Sequence, residues 1–478
     1  MTARSHTSFL GRCARFLWAA TLLTLPVTSF RYFPAGEGTY VRPLAFFPLV
    51  LLLLVLGIQL LRRETTCPRA GSLTPLTALL LVALTVSLFG ILLSPVPLRG
   101  QVATGRILRA WITMLMGAGF FLGAIWMNRE EGALRFSVRW LLAGLVIDVL
   151  WSGLQAATFY LQILPKPLVT QWQRMFSLRE LIRINRISGM AYEPSWLAGQ
   201  IATLYMPWLL AALLTRIRLT RFRWLEPCLL LAAAALVIAT FSRGGMLTTA
   251  AAVGLTVVLV GRGEIRAAWR WFASGFSLGK ALVLRLAFAA VVVASLTGAA
   301  MLLGQKGYFS RMWSTRASDV ADFLIQNSAG ARAAYLTSAI RIYEEHPWTG
   351  VGLGASGLYM YARLPDWALT TVPEIARQLN PENSLYPNPK NMYVRLLAET
   401  GLLGIVLYLA FQLALLGDAL AALQRGTATW RYLGIAAVCT WLAIVFYNLT
   451  QDSLATPNLW VNLGMLAGMS ELQGREGN

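Results

Sequence analysis

Charge is scarce in this chain. Of its 478 residues only 13% are charged, against about 25% in an average soluble domain. With a mean hydropathy of +0.59, the deficit excludes an intrinsically disordered chain and argues against a soluble globular one. Histidine is almost missing, with His6 and His346 alone. The four cysteines, Cys13, Cys67, Cys228 and Cys439, form no Cys-x-x-Cys, so neither a zinc site nor a structural disulfide is expected. There is no Walker A loop, no His-Glu-x-x-His and no Asp-x-Asp. A nucleotide-sugar donor held through a divalent metal is therefore unsupported. Neither an internal repeat nor a low-complexity tract is present.

Apolar residues are plentiful, at 57% of the chain. Twelve runs read as membrane helices, near 16–30, 43–61, 75–93, 108–127, 140–164, 196–214, 227–241, 245–260, 281–303, 401–416, 433–448 and 457–470. The seventh, eighth and last are short enough to be re-entrant. The first has a basic start, as a signal peptide does, but no small-x-small cleavage site follows it, so a retained helix is expected. The expected fold is an all-α polytopic membrane protein of about twelve spans. Its parts are nine spans over 1–303 with a loop at 165–195, a large external loop containing helices at 304–399, and three spans over 400–478. Within the large loop, 328–345 reads as an amphipathic helix, with Ala331, Ala334, Tyr335, Ser338 and Ile342 on one face. The Pro- and Asn-rich stretch 361–390 reads as loop.

The few charges are strongly one-sided, at +20, and 37 of the 41 basic residues are arginine. Such a balance in a soluble protein points to nucleic acid. Here the arginines punctuate apolar runs, so they speak to orientation and to an anionic ligand, not to nucleic acid. Every short loop on one side holds at least two basic residues, among them Arg62, Arg63, Arg69, Arg129, Arg135, Arg139 and the cluster Arg216–Arg223. The positive-inside rule then puts both termini in the cytoplasm. Basic residues also gather on the other side, with Lys166, Arg174, Arg179, Arg183 and Arg186 in the first long loop. Contact with membrane lipid headgroups and a bound anion both account for them. Arg243 sits in Phe241-Ser242-Arg243-Gly244-Gly245 between two apolar runs. An arginine at a membrane edge is costly unless it snorkels or pairs, and the glycines allow a ligand to approach the backbone. Asp148 lies within the fifth span, Arg106 and Arg109 open the fourth, and Arg395 and Glu399 can pair at i, i+4.

Several short motifs follow in order. They are Met190-Ala191-Tyr192-Glu193-Pro194-Ser195, the Ser242-Arg243-Gly244 corner and Ser328-Ala329-Gly330-Ala331-Arg332. After them come His346-Pro347-Trp348-Thr349-Gly350-Val351-Gly352, Asn391-Met392-Tyr393 and Leu397-Ala398-Glu399-Thr400-Gly401-Leu402-Leu403-Gly404. The set resembles the superfamily of O-antigen ligases and Wzy-type O-antigen and exopolysaccharide polymerases. That resemblance implies a GT-C-type, metal-independent glycosyltransferase of the bacterial inner membrane that needs no cofactor. Its active site would face the periplasm, and its donor would be a glycan on undecaprenyl diphosphate. A chain-length regulator and a flippase are the partners it implies. By position, Arg243 and Arg332 match the two arginines essential in ligases of the superfamily. The ligase histidine, however, is replaced by Lys390, next to Asn391. Lysine is a poor base unless its pKa is lowered. This change, with the Glu193-Pro194-Ser195 element, favours a polymerase of lipid-linked repeat units. The alternatives are a ligase acting on lipid A-core or protein and, from another class, a flippase or transporter.

In this reading Arg243 and Arg332 stabilise the leaving diphosphate, with Arg186 and Lys390 helping, and Asn391 and Glu399 contribute to substrate binding. Glu193 is the first candidate for the base and Glu399 the second. Glu193 is equally explained as a carboxylate favoured at a helix amino terminus. Arg243→Ala and Arg332→Ala are each expected to abolish polymer while the protein still reaches the membrane; normal polymer length in both variants would refute their assignment.

Overall fold

The computed structural model describes residues 8–34, 39–130, 132–179, 181, 186–274, scattered positions between 282 and 326, and then 329–380, 382 and 386–476. Among these residues the chain is helical, apart from isolated bridges that tie Ser29 to Arg42, Phe30 to Ser177 and Leu98 to Gln101. The first helices are α1 (Phe9–Thr24), α2 (Phe46–Leu61), α3 (Leu73–Leu92), α4 (Ala103–Met127), α5 (Ala133–Phe159) and α6 (Lys166–Arg174). They are followed by α7 (Pro194–Thr215), α8 (Leu225–Ala239), α9 (Arg243–Val260), α10 (Arg262–Ala273) and α11 (Gly330–Glu345). The last are α12 (Asp366–Thr371), α13 (Pro373–Leu379), α14 (Met392–Gln424), α15 (Ala428–Tyr447) and α16 (Val461–Glu476). Six of them, α3, α4, α7, α9, α14 and α15, are long and apolar enough to cross a membrane, and α2 and α8 are shorter apolar helices. The chain is a polytopic helical membrane protein.

Two expectations shift. The first run is helical at Phe9–Thr24 instead of 16–30, because Ser8 caps it, accepting from the Gly11 N–H at 3.0 Å. Proline at 26 prevents continuation. The stretch 361–390 is not all loop: Pro365 and Pro373 precede and open α12 and α13, where their fixed φ suits a helix start. Most of the expected ninth span, 281–303, and most of 304–328 lie outside the described residues. The amphipathic helix stands as α11, burying Ala331, Ala334, Tyr335, Ser338 and Ile342 as expected.

Helix α7 is central, with 89% of its span buried against 28% for α9. Proline at 207 has no N–H to donate to the preceding turn, and Ile201–Tyr205 widens into a π-turn. Carbonyls around that turn would be costly in an apolar interior. Asn462 of α16 meets them: its Nδ2 donates to the Thr203 and Leu204 carbonyls at 2.8 and 3.0 Å. The Trp208 indole fixes its other end at 3.0 Å. Around α7 and α15 pack α9, α14 and α16.

The basic loops meet at one end of the bundle. There Arg129 reaches Thr65 and Glu471, Arg139 donates to the Leu219 carbonyl, and Arg431 pairs with Glu264. Arg106 and Arg109 lie near the opposite end of α4, about 37 Å of helix from its Met127 end to its start.

Helix α14 breaks at Gly401, which has φ 61° and ψ −162°. An unbroken helix would pair the Leu402 and Leu403 N–H groups with the Ala398 and Glu399 carbonyls. The loop after α11 takes over all four groups. Pro347 and Trp348 carbonyls accept from Leu402 and Leu403 at 2.8 and 3.4 Å, and Val351 and Gly352 N–H groups donate to Ala398 and Glu399 at 3.0 and 2.9 Å. A Cβ on Gly401 would stand 2.3 Å from the Trp348 carbonyl. Gly401→Ala is accordingly expected to lose at least about 1–3 kcal/mol of stability, seen as a lower thermal midpoint in detergent. Gly417→Ala, with open space around it, should be neutral or slightly stabilising.

Candidate active site

A cleft of about 460 Å³ opens at the end of the bundle where α4 begins. Its walls come from residues 39–41, the start of α4, 179, 192–196, 386–390, the first turns of α14 and 451–455. Five basic side chains (Arg106, Arg109, Arg179, Lys390, Arg395) and three acidic ones (Glu193, Glu399, Asp452) line it, for a net charge of 5 − 3 = +2.

The break at Gly401 sets the floor. The turns before it bring Arg395 and Glu399 to the cleft, where they pair at 3.0 Å. Glu399 is 2% exposed. Its second oxygen accepts from the Ser356 hydroxyl at 2.8 Å, and the Arg395 guanidinium also donates to the Asp452 carbonyl. An Asp452 carboxylate oxygen accepts from the Lys390 N–H at 3.0 Å, which is directed there by a left-handed backbone at Lys390, φ 53°. Arg106 lies over the Tyr386 ring, 3.6 Å from its centroid. The Tyr386 hydroxyl donates to the Gly354 carbonyl at 3.2 Å. Burial pushes that phenol well up, against the pull of the neighbouring Arg106, so it remains a neutral donor. Among the described residues Arg106, Arg109 and Lys390 make no ion pair, whereas Arg395 and Arg179 do.

Glu193 occupies the N-cap position of α7. One of its oxygens pairs with Arg179 at 3.0 Å and the other accepts from the Ser195 hydroxyl at 3.2 Å. Its side chain is 43% exposed, so a ligand in the cleft can reach it. Glu399, sealed between Arg395 and Ser356, cannot take a proton from outside without breaking its pair.

Glu193, Lys390 and Glu399 therefore share one cleft. The other expected residues do not line it. Asn391 caps α14, accepting from the Val394 N–H at 3.1 Å, and its amide donates to the Leu449 carbonyl at 3.3 Å. Arg186 donates to the Thr240 carbonyl at 2.7 Å, steadying the end of α8. Arg243 is the first residue of α9, behind its cap Ser242. The next residue, Gly244, faces Thr450, whose neighbour Gln451 lines the cleft. Arg332 is exposed on α11, outside the lining. Asp148 is fully buried, accepting from the Met190 N–H at 2.8 Å.

In the sequence Arg179 stands as one of a basic group, and Asp452 and Tyr386 belong to none of its motifs. A signal existed for Asp452, the sole acid between Asp418 and Glu471. Nothing local marks Tyr386.

Residues 228–409 match the family described as O-antigen ligase. The match takes in Arg243, Arg332, Lys390, Arg395 and Glu399; Arg106, Glu193 and Asp452 lie outside it. No curated protein matches the chain.

The Arg395–Glu399 pair gives a stability test. Removing one partner of a buried pair leaves an uncompensated charge, so Glu399→Ala should lose about 3–5 kcal/mol in thermal unfolding of the detergent-solubilised protein. The double variant Arg395→Met/Glu399→Leu should recover most of that loss.

Proposed function

We propose that this chain, whose residues 228–409 match the family described as O-antigen ligase, polymerises undecaprenyl-diphosphate-linked repeat units at the periplasmic face of the bacterial inner membrane. One observation carries this reading: a cleft in which Arg106, Arg109 and Lys390, three cations that form no ion pair among the described residues, stand with a reachable carboxylate, Glu193. A diphosphate and a sugar hydroxyl need these two kinds of group. The location of the cleft away from the basic loops supports a periplasmic site.

The acceptor hydroxyl oxygen forms a bond to the anomeric carbon of the donor, and the bond from that carbon to the diphosphate oxygen breaks. Undecaprenyl diphosphate leaves with the electron pair. Glu193 takes the hydroxyl proton, and Arg179 and Ser195 hold its carboxylate in place. Arg106, Arg109 and Lys390 meet the charge that grows on the diphosphate; positioned cations contribute several kcal/mol at such a site. Arg fits a phosphate with two parallel hydrogen bonds and keeps its charge at any working pH. Glu399 acts through Arg395 as a positioning residue. The Arg243 corner backs the cleft through Thr450. Lysine in place of the ligase histidine favours polymerase over ligase.

Cells lacking the gene should accumulate capped single-unit glycans; long, unattached lipid-linked chains would indicate a ligase. With purified protein and lipid-linked repeat units, Arg106→Ala should reduce polymer formation by about 10²–10³-fold, and Glu193→Gln by about 10²–10⁴-fold. An unaltered rate in Glu193→Gln would remove it as the base. Translocation without linkage would replace the enzyme with a flippase.

A further inference from the structure

Three aromatic rings line the cleft beside Glu193. Tyr40 stacks on Tyr192, with centroids 5.1 Å apart and planes 29° apart. Trp196 tilts against Tyr192 at 5.4 Å. The Arg179 guanidinium lies over the Tyr192 ring at 4.9 Å and at the same time holds Glu193. The backbone fixes this group. Arg42 exchanges backbone bonds with Thr28 and Phe30, and the Tyr192 N–H donates to the Thr28 hydroxyl at 2.9 Å. Tyr40 is nevertheless 44% exposed, and Tyr192 and Trp196 are half-buried.

Tyrosine and tryptophan at a membrane interface ordinarily anchor a helix among headgroups. These rings instead line a polar cleft, with a carboxylate beside them and a guanidinium over the Tyr192 ring. A pyranose has an apolar C–H face and a rim of hydroxyls. The electron-rich face of an aromatic ring attracts the first, and charged side chains hydrogen-bond the second. We infer that Tyr40, Tyr192 and Trp196 form a subsite for a sugar ring of the acceptor glycan, seated so that a hydroxyl meets Glu193. The inference rests on the transferase reading above and adds residues that set glycan affinity instead of rate.

The test uses lipid-linked repeat units extracted from cells lacking the gene, and the free oligosaccharide released from them by mild acid. With the full-length purified protein, Tyr40→Leu and Trp196→Leu should each raise KM for the lipid-linked units about tenfold, with kcat falling by no more than about twofold. Tyr40→Phe, which keeps the ring, should stay near wild type, and thermal unfolding of all three variants checks that they fold. Binding of the free oligosaccharide should weaken by a similar factor in the two leucine variants. Unchanged oligosaccharide binding in both would overturn the subsite. Wild-type protein that binds oligosaccharide through these rings but forms no linkage would overturn the polymerase reading alone.

Discussion

The structure turns on the exchange of backbone hydrogen bonds between the break in α14 and the loop that follows α11. A helix interrupted among apolar neighbours leaves N–H and C=O groups with no water to satisfy them. Here the Pro347–Gly352 loop supplies a partner for each of the four groups freed around Gly401. The exchange has consequences in two directions. It turns Arg395 and Glu399 towards the cleft instead of along the span. It also draws the loop's continuation against α3 and α4, where the Leu353 N–H meets the Ser87 hydroxyl at 3.1 Å and Gly354 closes on the Arg106 carbonyl.

A second interruption, in α7, is resolved by the same logic with different chemistry. The π-turn before Pro207 is satisfied by one side chain, Asn462, instead of by a loop. That satisfies the backbone of a mostly buried helix although it is locally distorted. Its amino-terminal end carries Tyr192, Glu193 and Trp196 to the cleft, so the position of the candidate base depends on a hydrogen bond made deep in the bundle. Two broken helices thus deliver Glu193 and Glu399, the loop after α15 delivers Asp452, and the unbroken α4 delivers the cations Arg106 and Arg109.

Much of this organisation was legible in the chain. Apolar runs marked most of the helices to within a few residues, because burial in lipid demands long apolar segments whatever their partners. The face of α11 was readable because its period is local. The motif His346-Pro347-Trp348-Thr349-Gly350 and the motif Glu399-Thr400-Gly401 could each be seen, but that they bind each other could not. The displaced first helix and the small helices α12 and α13 followed from proline positions that hydropathy does not register.

The sequence by itself determined that this is a membrane protein of many helices, that its arginines divide into short-loop and other sets, and which superfamily it resembles. Those properties reside in composition, in period and in the order of short motifs. Only the tertiary structure decided which charges meet. Arg106, Glu193, Lys390 and Asp452 are spread over some 350 residues, and each reads locally as a loop or helix-end polar group. They become one cleft because the starts of α4, α7 and α14 and the loop after α15 pack together at one end of the bundle. Arg332 shows the converse: its motif is clear, yet the apolar face of α11 turns inward and leaves this arginine exposed, outside the cleft. Periodicity gives a side chain its face on a helix; only packing gives that face its neighbour.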